Sequence, residues 1–173
     1  GHLSEAVSEG LNFDKSLHGE LHDVKCKAKI DRLCIDPSSV GTDLAIVDLK
    51  TSADASPEEF ARSCAKYRYV YQQAYYSAVF RSWVNNHADT GDLPFELPPL
   101  IDNIRCYFIV VQSDYSGIVA TYECDIADLA REDDQVVDDL GVYGLCMKEN
   151  NWPPAASKPT VLSLPHWYRR NNG

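Results

Sequence analysis

An aspartate and a lysine two residues apart, Asp48-Leu49-Lys50, close the apolar run Leu44-Ala45-Ile46-Val47. On a strand, alternate side chains share a face, so Asp48 and Lys50 point one way and Leu49 is expected to turn into the core. A carboxylate beside an ammonium at a strand end is what metal-assisted phosphodiester chemistry requires: one group to hold a hard cation, another to orient water and offset phosphate charge. Upstream, Asp31 ends the alternating stretch Lys25-Cys26-Lys27-Ala28-Lys29-Ile30. There Val24, Cys26, Ala28 and Ile30 form one face, and the lysines with Asp31 form the other. If the two stretches pair as neighbouring strands, two carboxylates and several cations converge. The triplet alone is common, and an exposed strand-end salt bridge would read the same way.

The elements that must position these groups follow from periodicity and punctuation. Residues 5–13 alternate through Glu5, Val7, Glu9, Leu11 and Phe13 as a first strand. Residues 14–22 read as a hairpin connection into a strand ending near Ile35, Pro37-Ser38-Ser39 with Gly41 turns the chain, and a third strand leads to Asp48. Ser56-Pro57-Glu58-Glu59 starts a helix, with Ser56 as N-cap and Glu59 placed to complete a capping box. The helix runs to about Trp83, with room for a break near Tyr67, and carries Tyr69, Gln72, Tyr76, Phe80 and Trp83 as one stripe. A glutamine inside an aromatic stripe is out of place in a simple core. A polar loop over residues 85–99 then leads to strands over 104–112 and 118–124, a helix over 126–147, and a proline-rich tail from Trp152.

In this order, Asp31, Asp48-x-Lys50 and Gln72-x-x-x-Tyr76 resemble the PD-(D/E)XK nuclease superfamily, in the branch that adds a Gln-x-x-x-Tyr helix. Asp48-Leu49-Lys50-Thr51-Ser52-Ala53-Asp54, Tyr67-Arg68-Tyr69 with Gln72-Gln73-Ala74-Tyr75-Tyr76-Ser77, Trp152-Pro153 and Leu162-Ser163-Leu164-Pro165-His166-Trp167 are similar, more narrowly, to the C-terminal nuclease domain of the RecE, exodeoxyribonuclease VIII type. The resemblance implies an α/β, restriction-endonuclease-like core, a central mixed sheet flanked by helices. It also implies a site in which Asp31, Asp48 and the Leu49 carbonyl hold Mg²⁺, with Mn²⁺ able to substitute, and in which an acidic residue of the first strand completes the set. Glu9 is preferred there over Glu5, because Leu11 and Phe13 echo the family strand. Lys50 would serve the water, and Gln72 and Tyr76 the scissile strand. Lys66 and Arg68 are candidates for phosphate contact, as are Thr51 and Ser52. The same resemblance implies 5′ to 3′ degradation of linear double-stranded DNA, leaving 3′ overhangs for a single-strand-annealing recombinase in phage-type recombination, by a ring-shaped homotetramer.

Composition narrows the field. The 173 residues, 45% hydrophobic and 24% charged, can bury an ordinary core and are expected to form one domain over 1–173, trimmed from the C-terminal part of a longer protein. Apolar stretches such as Tyr107-Phe108-Ile109-Val110-Val111 are strand-sized, well short of a membrane span. The six cysteines contain no Cys-x-x-Cys pair and several sit in apolar runs, so reduced, mostly buried thiols are expected, as in a cytoplasmic protein. His18-x-Glu20-x-His22 could place three ligands on one face, but Gly19 and its turn context favour a hairpin. His87 and His166 have no evident partner. A net charge of -10 repels a polyanion at long range, so any DNA path must be locally basic and salt-sensitive. Much of the acid lies between Asp125 and Asp139, read as a solvated helix face, a subunit contact or a surface kept away from DNA.

Overall fold

A computed structural model describes residues 16–35, 44–88, 104–114, 116–154, 158–159, 161–163 and 166. The expected first strand, with Glu5 and Glu9, lies outside the described residues, as do the Pro37 to Gly41 turn, residues 89–103 and most of the segment after residue 154.

Two strands, β1 (Leu17–Leu21) and β2 (Val24–Ala28), pair antiparallel as a ribbon of their own. The turn between them is His22-Asp23, both at positive φ (52° and 61°), the geometry of a two-residue hairpin loop whose twist matches its strands. The hairpin therefore turns at 22–23, and residues 17–21 are a strand rather than a connection. Nor does one strand run on to Ile35: the chain leaves the ribbon at Ala28 and enters a second sheet as β3 (Arg32–Ile35). That sheet has the order β3-β4-β5-β6, where β4 is Leu44–Ser52, β5 Ile104–Gln112 and β6 Val119–Glu123. β3 runs antiparallel to β4, β4 parallel to β5, and β5 antiparallel to β6. Parallel neighbours need a long crossover. Here it contains α1 (Pro57–Tyr67) and α2 (Tyr69–Ala88), and α3 (Ile126–Glu149) follows β6. The architecture is the expected mixed sheet flanked by helices.

Local chemistry sets the helix ends. Ser56 is the N-cap of α1 with extended backbone, but its hydroxyl makes no capping bond. The expected capping box is not formed: Asp54 Oδ1 accepts the Ser56 N–H at 2.7 Å, and Glu59 instead pairs with Arg62 one turn on. The break falls at Arg68, which adopts the left-handed conformation (φ 55°) and ends α1. The second helix runs past Trp83 to Ala88, so His87 lies in its last turn, where Nδ1 donates to the Trp83 carbonyl at 2.7 Å. Asp125 caps α3 through Oδ1, which accepts from the Ala127 and Asp128 amides.

The main core lies between α2, the hairpin and the helix-facing side of the sheet. Leu17, Val24, Cys26, Ala28 and Ile30 meet Val79, Phe80 and Val84 of α2, with Leu33, Leu44, Ile46, Ile104 and Cys106 beneath. Burying aliphatic and aromatic side chains of this kind is worth roughly 1.5–3 kcal/mol each before conformational entropy is subtracted. Gly19 is required by close approach: a Cβ there would lie 3.0 Å from the Val79 carbonyl and from Ser82. All six cysteines are free thiols. Three are buried and three half-buried.

Candidate active site

Register alone brings the two aspartates together. Arg32 pairs with Val47 across β3 and β4, so the next position in each direction sets Asp31 opposite Asp48. The backbone N–H of Leu49 donates to Asp31 Oδ2 at 3.0 Å, fixing that carboxylate at the end of β4. Asp48 is 3% exposed. Burial pushes its carboxyl above the ordinary range, Lys50 pulls it back, and the nearby Asp31 pushes it up again.

One expectation is reversed here. Leu49 does not turn into the core; it is 58% exposed. The helices cover the opposite face, the one carrying Ile46, Asp48 and Lys50, so the chemical groups lie beneath the helical layer. Lys50 is drawn in as expected, its Nζ 2.5 Å from Asp48 Oδ2. It also donates to Gln72 Oε1 at 2.8 Å and lies 4.4 Å from the centre of the Tyr69 ring. Gln72 Nε2 in turn donates to the Tyr76 hydroxyl at 2.8 Å. An ammonium can only donate, so Lys50 fixes which end of the Gln72 amide faces it. The Tyr76 hydroxyl oxygen then accepts from the amide, which leaves its own O–H to act as a donor.

The sites expected to support this centre divide. Arg68 is committed elsewhere: its guanidinium lies 3.6 Å from Glu132 and 3.7 Å from Asp139 on α3 and 4.0 Å from the Tyr71 ring. Lys66 sits over Tyr67, 5.0 Å from the ring centre. Ser52 spends its hydroxyl on the Asp54 carbonyl at 2.7 Å, whereas Thr51 is exposed beside Lys50. His22 occupies the hairpin turn, so the His18, Glu20 and His22 alternation is interrupted. Tyr69 went unassigned as a partner of Lys50, although its place three residues before Gln72 on the same stripe marks it. Tyr75 was also missed: its hydroxyl accepts from Lys27 N at 3.3 Å and donates to Lys27 O at 3.2 Å.

The donor set suits a hard divalent cation. Asp48 Oδ2 is buried and accepts no well-directed hydrogen bond despite its contact with Lys50. A buried carboxylate oxygen with hydrogen-bonding capacity left over fits a hard divalent cation, which binds carboxylate and carbonyl oxygens of this kind. Asp31 and Asp48, with the Leu49 carbonyl, are the groups that would hold it. No third histidine, cysteine or carboxylate among the described residues joins them. Two cavities among the described residues lie away from this centre, one of about 340 Å³ walled by Phe60, Cys64, Arg68, Tyr122 and Glu132 and one of about 460 Å³ walled by Leu21, Ser82 and Val136.

A mixed sheet whose β4 end carries Asp-x-Lys, faced by an aspartate just before β3 and a Gln-x-x-x-Tyr helix, defines a PD-(D/E)XK nuclease-superfamily domain. Residues 2–163 match the family described as a PDDEXK-like domain of unknown function (DUF3799), and the chain belongs to that family. No curated protein matches the chain. Among solved structures, the fold is similar to that of the "Putative exonuclease" from Eubacterium rectale, with a TM-score of 0.50 and 17% identity over 94% of this chain. The chain spans 56% of that protein's length. No helix among the described residues is long and apolar enough to cross a membrane.

Proposed function

We propose that this chain is a Mg²⁺-dependent exodeoxyribonuclease acting on linear double-stranded DNA. The observation that carries the reading is the single connected set Asp31, Asp48, Lys50, Gln72 and Tyr76, in which two facing carboxylates are followed by an unbroken line of oriented donors. When bound, Mg²⁺ or Mn²⁺ supplies Lewis-acid stabilisation of the attacking and leaving oxygens. Asp31 and Asp48 hold the cation's position, with Glu9 the proposed third carboxylate. Lys50, held by Asp48 and Gln72, would orient the nucleophilic water and offset the charge of the scissile phosphate. Tyr76 offers its O–H to the strand being cut.

The finer parts of the proposal rest on the RecE-type sequence resemblance: 5′ to 3′ polarity, 3′ overhangs passed to a single-strand-annealing recombinase, and a ring-shaped homotetramer around the duplex. The "Putative exonuclease" neighbour favours end-directed attack over internal cutting.

The test compares an end-labelled linear duplex with covalently closed plasmid in Mg²⁺. Progressive release of nucleotides from one labelled end, with the circle intact, is expected. Nicked or linearised plasmid instead would make the protein an endonuclease, and binding without hydrolysis would make it a DNA-binding module. Asp48→Ala and Lys50→Ala should each abolish hydrolysis while the circular dichroism spectrum stays native, and Gln72→Ala should slow cleavage less than Asp48→Ala does.

A further inference from the structure

The exposed face of β2 carries a row of cations that the centre above does not use. Val24, Cys26, Ala28 and Ile30 are each at most 5% exposed, and between them Lys25, Lys27 and Lys29 all face solvent. The next exposed position in this alternation is Asp31 itself. The row therefore starts on β2 and continues through Lys29, beyond the ribbon, to Asp31. From Lys25 to Lys27 the step is two residues of strand, about 6.4–6.8 Å, comparable with the spacing of successive phosphates on an extended nucleic acid strand.

Two further observations separate these lysines from the ordinary surface charge of the molecule. The arginines at 62, 68, 105 and 131 are paired with Glu59, Glu132, Asp139, Glu123 and Asp128. Among the described residues, no carboxylate comes within ion-pair distance of Lys25, Lys27 or Lys29. Glu20 stands across the ribbon from Lys25 and His18 across from Lys27, so the acid on this face sits at the end far from Asp31. The row is also held in fixed relation to the site. Tyr75, next to Tyr76 on α2, clasps both backbone groups of Lys27, and Ser82 does the same for Glu20, accepting from its N–H at 3.0 Å and donating to its carbonyl at 2.9 Å.

We propose that Lys27 and Lys29, with Lys25 outermost, form a phosphate track that leads one strand of the DNA substrate to Asp31 and Asp48. The proposal rests on the nuclease reading above. In a chain of net charge -10, such a track supplies the local cation density that binding a polyanion requires. Neutralising contacts of this kind set affinity and register without reading sequence.

The experiment measures binding of a fluorescein-labelled linear duplex in EDTA, over about 50–200 mM salt, for wild type, Lys27→Gln/Lys29→Gln and the control Lys148→Gln on α3. Each phosphate contact adds about 0.7 (single strand) to 0.9 (duplex) to the slope of log affinity against log salt. The double variant should therefore lose roughly 1.4–1.8 from the slope, with an unchanged circular dichroism spectrum. In Mg²⁺ its KM should rise roughly tenfold while kcat at saturating DNA holds, and the control should match wild type. A double variant with wild-type slope and KM would overturn the track while leaving the nuclease reading standing; its lysines would then only discourage edge pairing. A wild-type protein that neither binds nor cuts linear DNA would overturn both.

Discussion

Three electron-rich groups grip the Lys50 ammonium: the Asp48 carboxylate, the Gln72 carbonyl and the face of Tyr69. Because that grip also sets the Gln72 amide, Tyr76 is oriented at second hand. Tyr76→Phe keeps the Lys50 to Gln72 bond, removes the O–H donor and takes the acceptor away from Gln72 Nε2. One hydrogen bond to a charged phosphate is worth roughly 1.5–3 kcal/mol, so cleavage should fall about 10- to 100-fold, with binding in EDTA little changed. Gln72→Ala loosens Lys50 as well and should cost more; steady-state assays on the two variants order them. Of these residues, Asp31, Asp48, Lys50, Gln72 and Tyr76 were legible as a motif in the sequence. The ring of Tyr69 was visible only as one more aromatic on a helical stripe, because spacing gives the face of a helix but not the atom that the face will meet.

The elbow at Arg68 turns the helical crossover between β4 and β5. Its left-handed backbone is costly for any residue with a Cβ, by about 1–2 kcal/mol, and glycine avoids that cost. Against this, the half-exposed contacts of Arg68 with Glu132 and Asp139 are each worth about 0–1 kcal/mol. Alanine keeps the same backbone cost and loses only the two contacts, so Arg68→Ala should destabilise the protein by about 0–2 kcal/mol, whereas Arg68→Gly should come out about 1 kcal/mol better than Arg68→Ala in urea melts. Element boundaries were readable where burial was continuous or caps were strong: β5 at Ile104–Gln112 and the start of α3 at Ile126 fell where expected. Two features were not readable, for one reason. The alternation from Val24 to Asp31 passes without a flaw from the ribbon toward the sheet, so nothing local marks the change of partner at Ala28. Likewise, Asp48-Leu49-Lys50 alternates correctly whichever face is covered. Only the position of α2 decides that Leu49 is the exposed member, and that is a property of packing rather than of period.

For the whole molecule, burial of thiols sets an alkaline limit. Desolvation pushes Cys106 from 9.0 up to about 11, with the neighbouring Ser77 hydroxyl and Arg81 drawing it partly back. Between pH 9.0 and about 11 an unfolded chain would release this proton while the folded one keeps it. The folded state then binds more protons, so the stability contributed by Cys106 is whole below pH 9.0 and is lost as pH rises through about 11. The loss is of order 2–3 kcal/mol for a shift of this size. Urea midpoints at pH 8.5, 10 and 11 should fall accordingly, and Cys106→Ala, less stable at pH 8.5, should lose less over the same interval. Composition had already pointed to reduced and mostly buried cysteines. What it could not supply was their location, with Cys106 packed under Ser77 on the helix that also carries Gln72 and Tyr76.

That helix is twenty residues long, a rod of about 30 Å. Tyr69 at one end touches the ammonium, and Ser82, more than three turns along, clasps the hairpin. The ribbon is thus tied to the centre by this stiff beam as well as by the short chain path from Ala28 to Asp31. Amides along the turns between Tyr69 and Ser82, pinned at both ends, should exchange with solvent together rather than one by one.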